Sequence, residues 1–242
     1  MNRALFVAAS GMAAQQQQLD IISNNLANAD VAGFKGAAAS FTDMASPLGV
    51  PLGTAGIGTH TLFAQGKLVQ SGGSFDVAID GEGFFSVMNG RGQRAYTRDG
   101  EFSRAPDGTL RNAQGWRLDG IRIPDSALSV HADVSGDVTA QMPHGTQRCG
   151  RIRLANFPAP ERLESIGGTL FVHTAESGRA HFIPAGAPGQ STVRFGMLEQ
   201  SNVSIVEAMM QILTAQRAYE ANAKGVQAAD EMMRIADNLQ RS

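Results

Sequence analysis

Hydrophobic residues recur at every seventh position in the two terminal regions of the chain. The N-terminal repeat consists of Leu5, Met12, Leu19 and Leu26, and the C-terminal repeat consists of Ile205, Ile212, Tyr219, Val226 and Met233. A seven-residue period is typical of helices that pack along a common seam. It predicts a helix over residues 5–29 and a second over residues 204–239, which begins at the capping box Ser204-Ile-Val-Glu207.

A second row of positions, three residues after the first, carries mostly small or polar side chains. It comprises Ala8, Gln15, Ile22 and Ala29, then Ala208, Ala215, Asn222, Ala229 and Ala236. Small residues let helices approach closely but bury little area, at about 25 cal/mol per Å². A stable two-stranded coiled coil prefers Leu or Ile at such positions. Two interpretations stay open: core helices of one globular domain, or a polymerising coiled coil that orders on assembly.

The region between the helices shows short alternating segments and Asn-Gly or Asp-Gly dipeptides, which are typical of strands joined by tight turns. No helical pattern of useful length separates these segments, so an antiparallel sheet is expected rather than βαβ units. Residues 46–58, rich in Gly and Pro, indicate a flexible connection. The predicted strands are 75–79, 84–87, 95–98, 101–104, 109–111, 116–118, 128–131, 138–141, 151–156, 170–173 and 193–198.

The expected fold class is α+β, with the terminal helices pairing as a coiled coil and a central antiparallel all-β domain. We expect four segments: an N-terminal core helix and turn (1–40), a Gly/Pro-rich connection with the first strands (41–75), the β domain (76–198), and a C-terminal core helix (199–242). The 43% hydrophobic content is sufficient for a core.

The composition argues against several functions. The chain has 20 Lys and Arg against 22 Asp and Glu, so no strongly basic field attracts nucleic acid. The only cysteine is Cys149, and the five histidines lack the spacing of metal ligands. Gly81-Glu-Gly83 precedes a strand, whereas a dinucleotide fingerprint precedes a helix. We therefore expect no enzyme activity, no metal and no cofactor.

Arg3 and the apolar residues 4–9 resemble the start of a weak secretory signal. The heptad pattern continues past the point at which such a signal would be cleaved, so we expect the N-terminus to be retained. No apolar stretch approaches the length of a membrane span, and we expect no membrane insertion.

Several motifs follow one another along the chain in a recognisable order. They are Ser23-Asn-Asn-Leu-Ala-Asn28 with Gly33-Phe34-Lys35, then Asp76-Val-Ala-Ile-Asp-Gly-Glu-Gly-Phe-Phe85, Ala95-Tyr-Thr-Arg-Asp-Gly100, Leu163-Glu-Ser-Ile-Gly167, Ser201-Asn-Val-Ser204 and Gln216-Arg-Ala-Tyr-Glu220. Together they resemble the bacterial flagellar axial proteins of the rod and hook. The similarity is greatest to the distal rod protein, with the proximal rod protein of the same type a near second.

The resemblance implies a structural subunit of the flagellar basal-body rod, which polymerises as a helical tube and transmits torque across the periplasm for motility. It implies export by the flagellar type III apparatus without a cleaved signal. Implied partners are further copies, other rod and hook proteins, and ring or bushing proteins. The terminal helices, with the heptad residues named above, would pack in the inner core, and the β domain would form an outer layer.

The motif residues Asn24, Asn25, Asn28, Gly33 and Phe34 are then candidate contact positions. The asparagines would hydrogen-bond across subunits or to the chain as it turns away, since unsatisfied buried amides are costly. The alternative is a helix end that frays into solvent. Gly33 would allow the turn after the helix, and Phe34 would anchor the loop in an apolar pocket.

The subtype and two other functions stay open. The stretch 41–65 is short compared with the extended segment typical of distal rod proteins, and this departure favours the proximal type. The alternatives to a rod subunit are a secreted β-rich enzyme that uses Cys149 or a pair of carboxylates, and a soluble coiled-coil adaptor.

Overall fold

The computed structural model describes residues 3–45, 51–186 and 191–240, which form two α-helices, a short 3₁₀ helix (Pro160–Arg162) and eighteen strands. The helices are α1 (Arg3–Ala27) and α2 (Ile205–Gln240). The strands are β1 (Ala37–Ala45), β2 (Pro51–Thr61), β3 (Leu68–Gln70), β4 (Val77–Asp80), β5 (Phe84–Met88), β6 (Arg94–Thr97), β7 (Ser103–Arg104), β8 (Leu110–Arg111), β9 (Arg117–Leu118), β10 (Ser129–Ala132), β11 (Asp137–Met142), β12 (Gly145–Arg151), β13 (Arg153–Asn156), β14 (Glu164–Gly167), β15 (Leu170–Val172), β16 (His181–Pro184), β17 (Thr192–Phe195) and β18 (Met197–Glu199).

The two terminal helices predicted from the heptads are confirmed. Ser204 caps α2, because its hydroxyl accepts a hydrogen bond from the backbone N–H of Glu207 at 3.4 Å. The first helix is two residues shorter at its C-terminal end than expected. It ends at Ala27, and Asn28 accepts a hydrogen bond from the N–H of Val31 in the turn that follows.

The described residues divide into two units. We call them the helical unit (Met1–Ala27, Ala37–His60 and Val203–Ser242) and the β unit (Asn28–Gly36 and Thr61–Asn202). In the helical unit, α1 and α2 pack together and run antiparallel. Gly11 lies beside Asn222, whereas Gln15 and Gln18 line a cavity with residues 207–218 at the start of α2.

The expected flexible connection over residues 46–58 is wrong for the part that the structure describes. Residues 51–58 belong to β2, which pairs with β1 in a two-stranded sheet, while 46–50 lie outside the described residues. Backbone pairing needs no large side chains, so a Gly-rich segment forms a strand once its partner strand is positioned. Pro51 occupies the first position of β2, where the missing N–H is tolerated.

The β unit is built on a sheet in which β5 is central. The order is β14-β15-β6-β5-β9-β8-β7, and the N-terminal half of β5 also pairs with β13, which pairs with β16. Smaller groups are β10-β11-β12, β4-β17 and β3-β18. Every register within the described residues of the β unit is antiparallel, which confirms the expected central β region.

Both faces of the central strand β5 are covered. Phe85 and Val87 enter the larger core cluster, and Phe84 enters a second, aromatic cluster with Phe63 and Phe171. Ring centroids of Phe63 and Phe84 lie 5.1 Å apart in an edge-to-face arrangement. This two-sided burial explains the nearly continuous apolar pattern of the strand.

Two predicted strands are interrupted. The segment 193–198 breaks at Gly196, whose φ of 70° is incompatible with a strand. The segment 151–156 divides at Ile152 into β12 and β13. The first strands were expected within residues 41–75, but without positions for β2 and β3. Strands β1, β14 and β16 and most of β12 were not predicted; β14 and β16 are short, and β12 is largely polar.

Candidate functional site

Three chain segments meet in the β unit and form what we call the junction: residues 33–36, 62–67 and 199–202. The N–H of Gly33 donates to the carbonyl of Glu199 at 2.7 Å, and the N–H of Leu62 donates to the carbonyl of Gly36 at 2.8 Å. Asn202 completes the arrangement. Its Oδ1 accepts from the N–H of Gly36 at 2.8 Å, and its Nδ2 donates to the carbonyl of Leu62 at 2.7 Å. The junction therefore joins the segment after α1 to the segment before α2.

Gly33 is held against the backbone of the β unit. Its φ is +67°, and a Cβ at this position would lie 2.3 Å from the N of Asp99 and 2.4 Å from the carbonyl carbon of Arg98. Real Cβ atoms do not approach backbone atoms so closely, so only glycine fits. Phe34, the next residue, is buried at 8% exposure.

A buried ion triad lies at the centre of the junction. The carboxylate of Glu199 accepts a hydrogen bond from Lys35 Nζ at 2.5 Å and another from an Arg98 guanidinium nitrogen at 3.2 Å. The N–H of Gly66 donates to the same carboxylate at 2.8 Å. Lys35 also donates to the carbonyl of Ala64 at 2.8 Å. The Lys35 and Glu199 side chains are both fully buried.

Burial dominates the electrostatics of the two cations. It lowers the pKa of Lys35 and of Arg98, and the neighbouring carboxylate of Glu199 partly offsets this effect in both cases. The Arg98 guanidinium also stacks over the Phe84 ring at 5.4 Å, a favourable cation–π contact. A buried charge without its partner is strongly unfavourable, so the three residues are stable in this environment only as a set.

Asp99 lies beside this triad and is itself partly desolvated. Burial raises its pKa to about 6, and the carboxylates of Glu101 and Asp76 act in the same direction. The N–H of Glu101 donates to the Asp99 carboxylate at 3.0 Å, which opposes the shift. At neutral pH the folded chain therefore holds Asp99 ionised in an unfavourable site.

We expect Asp99→Asn to stabilise the chain at pH 8 and to have little effect at pH 4. A carboxyl whose pKa is raised on folding binds its proton more tightly in the folded state, so its ionisation opposes folding as the pH rises from 4 through 6. A pKa shift of about two units corresponds to a loss of roughly 2–3 kcal/mol in the free energy of unfolding at high pH. Urea unfolding at pH 4, 6 and 8, followed by fluorescence of the single tryptophan, Trp116, measures this difference. An equal effect at all three pH values would contradict it.

Asn25 binds the backbone of its own chain, within the helical unit. Its Nδ2 donates to the carbonyl of Ala37 at 2.8 Å, and its Oδ1 accepts from the N–H of the same residue at 2.9 Å. For Asn25 the second of the two expected contacts, with the chain as it turns away from the helix, is therefore found. Asn24 is exposed and Asn28 is partly buried, and their contacts across subunits stay predictions.

We expect Asn25→Ala to release the start of β1 from α1. Losing two hydrogen bonds to one partly buried peptide costs about 1–3 kcal/mol. Amide exchange at Ala37 and along β1 should accelerate by at least about tenfold, as measured by mass spectrometry. Asn25→Asp is the matched control, because it keeps the acceptor and loses only the donor, so its effect should be intermediate. Unchanged exchange in both variants would rule out this anchoring role.

The heptad positions do not form the buried seam of the helical unit. The residues buried between the helices are Ile22 on α1 and the small side chains of Ala208, Ala215 and Ala229 on α2. Met12, Leu19, Leu26, Ile212 and Val226 are partly buried, whereas Ile205, Tyr219 and Met233 are exposed. The side chain of Leu5 lies outside the described residues. The second row, not the first, is thus the face at which α2 meets α1.

Sequence reasoning missed the charged residues of the junction. Lys35 and Arg98 lay within the quoted motifs without an assigned role, and Glu199 was not considered. One available signal was a charged residue at the end of an apolar strand, as in Met197-Leu198-Glu199. Its partner Lys35 is 164 residues away along the chain, so the pairing itself had no local signal.

The structure gives Cys149 a place in the larger core cluster, where burial raises the pKa of its thiol. That environment suppresses the thiolate needed for nucleophilic chemistry. In residues 3–45, 51–186 and 191–240, no three His, Cys, Asp or Glu side chains are grouped as a metal would require. In the same ranges, neither helix has an apolar stretch long enough to cross a membrane.

The helical unit contains an antiparallel helix pair and the β unit contains a buried ion triad. Three family models match this chain, and they indicate the class of protein. Residues 5–35 match the model described as "Flagella basal body rod protein". Residues 78–140 match "Flagellar hook protein FlgE/F/G D1 domain", and residues 195–239 match "Flagellar basal body rod FlgEFG protein C-terminal". The class is that of axial proteins of the bacterial flagellum.

Full-length relatives make the assignment more specific. The chain is 38% identical over 264 residues to the flagellar basal-body rod protein FlgG of Borreliella burgdorferi, and 32% identical over 265 residues to that of Bacillus subtilis, with 100% of both chains covered in each case. It is 32% identical over 254 residues to FlgF of Caulobacter vibrioides, covering 98% of this chain and 97% of the relative. The chain belongs to the flagellar basal-body rod protein family.

Proposed function

We propose that this chain is a structural subunit of the flagellar rod that polymerises through its terminal helices. One observation carries the proposal. Large apolar side chains on α2 are 52–70% exposed in the single chain, and they are Val206, Met209, Met210, Leu213, Met232 and Ile235. An apolar surface of this kind marks a site of protein association.

The polymer that we propose is a helical tube with a core of coiled-coil helices. Residues 1–40 and 199–242 form the core, residues 41–75 connect it to the rest, and residues 76–198 form the outer layer. Because α2 contributes alanines to its seam with α1, its exposed heptad residues Ile205, Tyr219 and Met233 are available for neighbouring copies. Repetition of one heterologous contact builds such a tube without closing a ring.

The junction has a mechanical role in this proposal. A rod that transmits torque needs its outer domain fixed to the two chain segments that lead to the core. The triad and the hydrogen bonds of Asn202 resist separation of those segments. Separating them would expose a buried polar group to water or leave it without its hydrogen-bond partner. The proposed location is the periplasmic part of the basal body, reached by type III export without a cleaved signal, with rod, hook and ring proteins as partners.

The relatives support a rod subunit of the FlgG type, which is the distal type, and FlgF is a near second. The short length of the stretch 41–65 favoured the proximal type. The similarity to FlgG proteins over the full length of the chain, at 38% and 32% identity, is the stronger argument, so we favour the distal position.

Substitution on the exposed face of α2 tests polymerisation. We expect Leu213→Asp to abolish rod assembly and swimming, because a carboxylate would be buried in an apolar contact between copies. The purified monomer should unfold as the wild-type chain does, since the side chain is 57% exposed there. Leu213→Met is the matched control and should assemble. Normal rods from the Asp variant would contradict the proposal.

A further inference from the structure

Two edges of the sheet in the β unit carry opposite chemistry. Along the order β14-β15-β6-β5-β13-β16, strand β14 is one edge and β16 is the other. Five interstrand steps separate them along the path of the sheet. The two edges are therefore different surfaces of one copy.

The β16 edge is basic and aromatic. The guanidinium carbons of Arg94 and Arg153 each lie 5.3 Å from the centroid of the Phe182 ring. Arg117 is on the same face, because Met88 pairs with both Arg94 and Arg117. Arg94 also contacts Asp119 at 3.4 Å, whereas Arg117 and Arg153 pair with no carboxylate in the described part of the chain. We call this surface the basic edge.

The arginines of the basic edge are hydrogen-bond donors that lie close to an aromatic ring. Guanidinium groups held over an aromatic ring are ordered donors for carboxylates, since their forked geometry lets them donate to both carboxylate oxygens. The surface thus fits an acidic side chain.

The β14 edge is acidic. Glu161 and Glu164 are exposed and form no ion pair within the described residues, while Arg162 between them is engaged by Glu176 at 3.1 Å. All four residues of β14 are exposed, and Ile166 is 46% exposed. This segment, the acidic edge, contains the motif at 163–167 to which the junction and the helices give no role.

We propose that the β units of neighbouring copies contact each other edge to edge, with the acidic edge of one copy on the basic edge of the next. This inference rests on the proposed function, because it requires a polymer. The two surfaces are complementary in charge, and each pairs an apolar side chain, Ile166 or Phe182, with its charges. A contact between two different surfaces of one unit is heterologous, and it builds an open filament when the rotation from copy to copy does not close a ring.

Crosslinking of assembled rods tests the contact directly. In a Cys149→Ala background, Glu164→Cys and Arg153→Cys are combined and the purified rods are treated with a short bismaleimide. We expect covalent multimers of two and more copies from rods and none from the monomer. Rods that form normally but give no multimers would overturn the edge contact while leaving the rod function intact. A wild-type chain that forms no rods would instead overturn the proposed function.

Charge exchange provides the second test. Arg153→Glu and Glu164→Lys should each lower the yield of basal bodies about tenfold, since like charges in contact cost a kilocalorie per mole or more. The double variant should return to within about twofold of wild type. Glu101→Lys, which reverses an exposed acid away from both edges, is the control and should assemble normally. Single reversals with full yield, or a double variant without rescue, would overturn the proposal.

Discussion

Glu199→Ala is expected to be the most damaging single substitution in the β unit, with a loss of about 3–5 kcal/mol in the free energy of unfolding. The change leaves Lys35 and Arg98 buried without their counter-charge, and uncompensated buried charges have costs of this size. It also removes the acceptor for the N–H of Gly66. Urea unfolding of the full chain, followed by Trp116 fluorescence, reports on this unit, because Trp116 packs against its larger core cluster.

A surface ion pair of the same unit provides the control. Glu176→Gln breaks the ion pair between Glu176 and Arg162, whose side chains are 72% and 63% exposed respectively. The change should lower the free energy of unfolding by less than about 1 kcal/mol. The double variant Lys35→Met, Glu199→Gln should lose less free energy of unfolding than the sum of the losses from the two single changes. The reason is that the double variant leaves fewer buried charges without a partner. Equal losses from Glu199→Ala and Glu176→Gln would show that the triad has no special role.

Gly33→Ala is expected to detach the loop of residues 28–36 from the rest of the β unit. The added Cβ would meet the backbone of Asp99 and Arg98 at 2.3 and 2.4 Å, and the residue has a φ of +67°. The strain of placing alanine at a positive φ is roughly 1–2 kcal/mol. Any further loss in the free energy of unfolding therefore measures the steric conflict. We expect the free energy of unfolding to fall by at least about 3 kcal/mol in the same assay, and amide exchange at Lys35 to become faster.

Two other glycines separate these contributions. Gly92 has a φ of +81° with open space around it, so Gly92→Ala measures the strain without the conflict. Gly72 has neither feature, and Gly72→Ala should change stability by less than about 0.5 kcal/mol. If Gly33→Ala costs no more than Gly92→Ala, the close packing of the loop is not important for stability.

The fold could be predicted from sequence wherever the signal was local. The seven-residue period and the Ser204 cap specify the helices, and Asp107-Gly108 specifies the turn between β7 and β8, where Gly108 has a φ of 78°. Strand β2 could not be predicted, because its glycines are unfavourable in isolation and only pairing with β1 stabilises them. Register along α2 was also ambiguous. Both rows of the heptad are periodic, and only packing shows that the alanine row faces α1.

The candidate site could be predicted only in part. The motif around Gly33 indicated a turn, and the structure shows why glycine is required there. The triad could not be predicted, because Lys35, Arg98 and Glu199 come from distant parts of the chain and each looks like an ordinary surface charge. Asn25 shows the same limit: its polarity was evident, but its partner, the backbone of Ala37, depends on the path of the chain after the helix.

The central claim, that this chain is a structural subunit of the rod, is tested most directly by electron microscopy of basal bodies purified from a strain that lacks its gene. The account predicts rods that are missing or stop short, with normal rods restored by the wild-type gene. The length of rod that remains distinguishes a proximal from a distal position. Complete rods carrying hooks in the deletion strain would contradict the account.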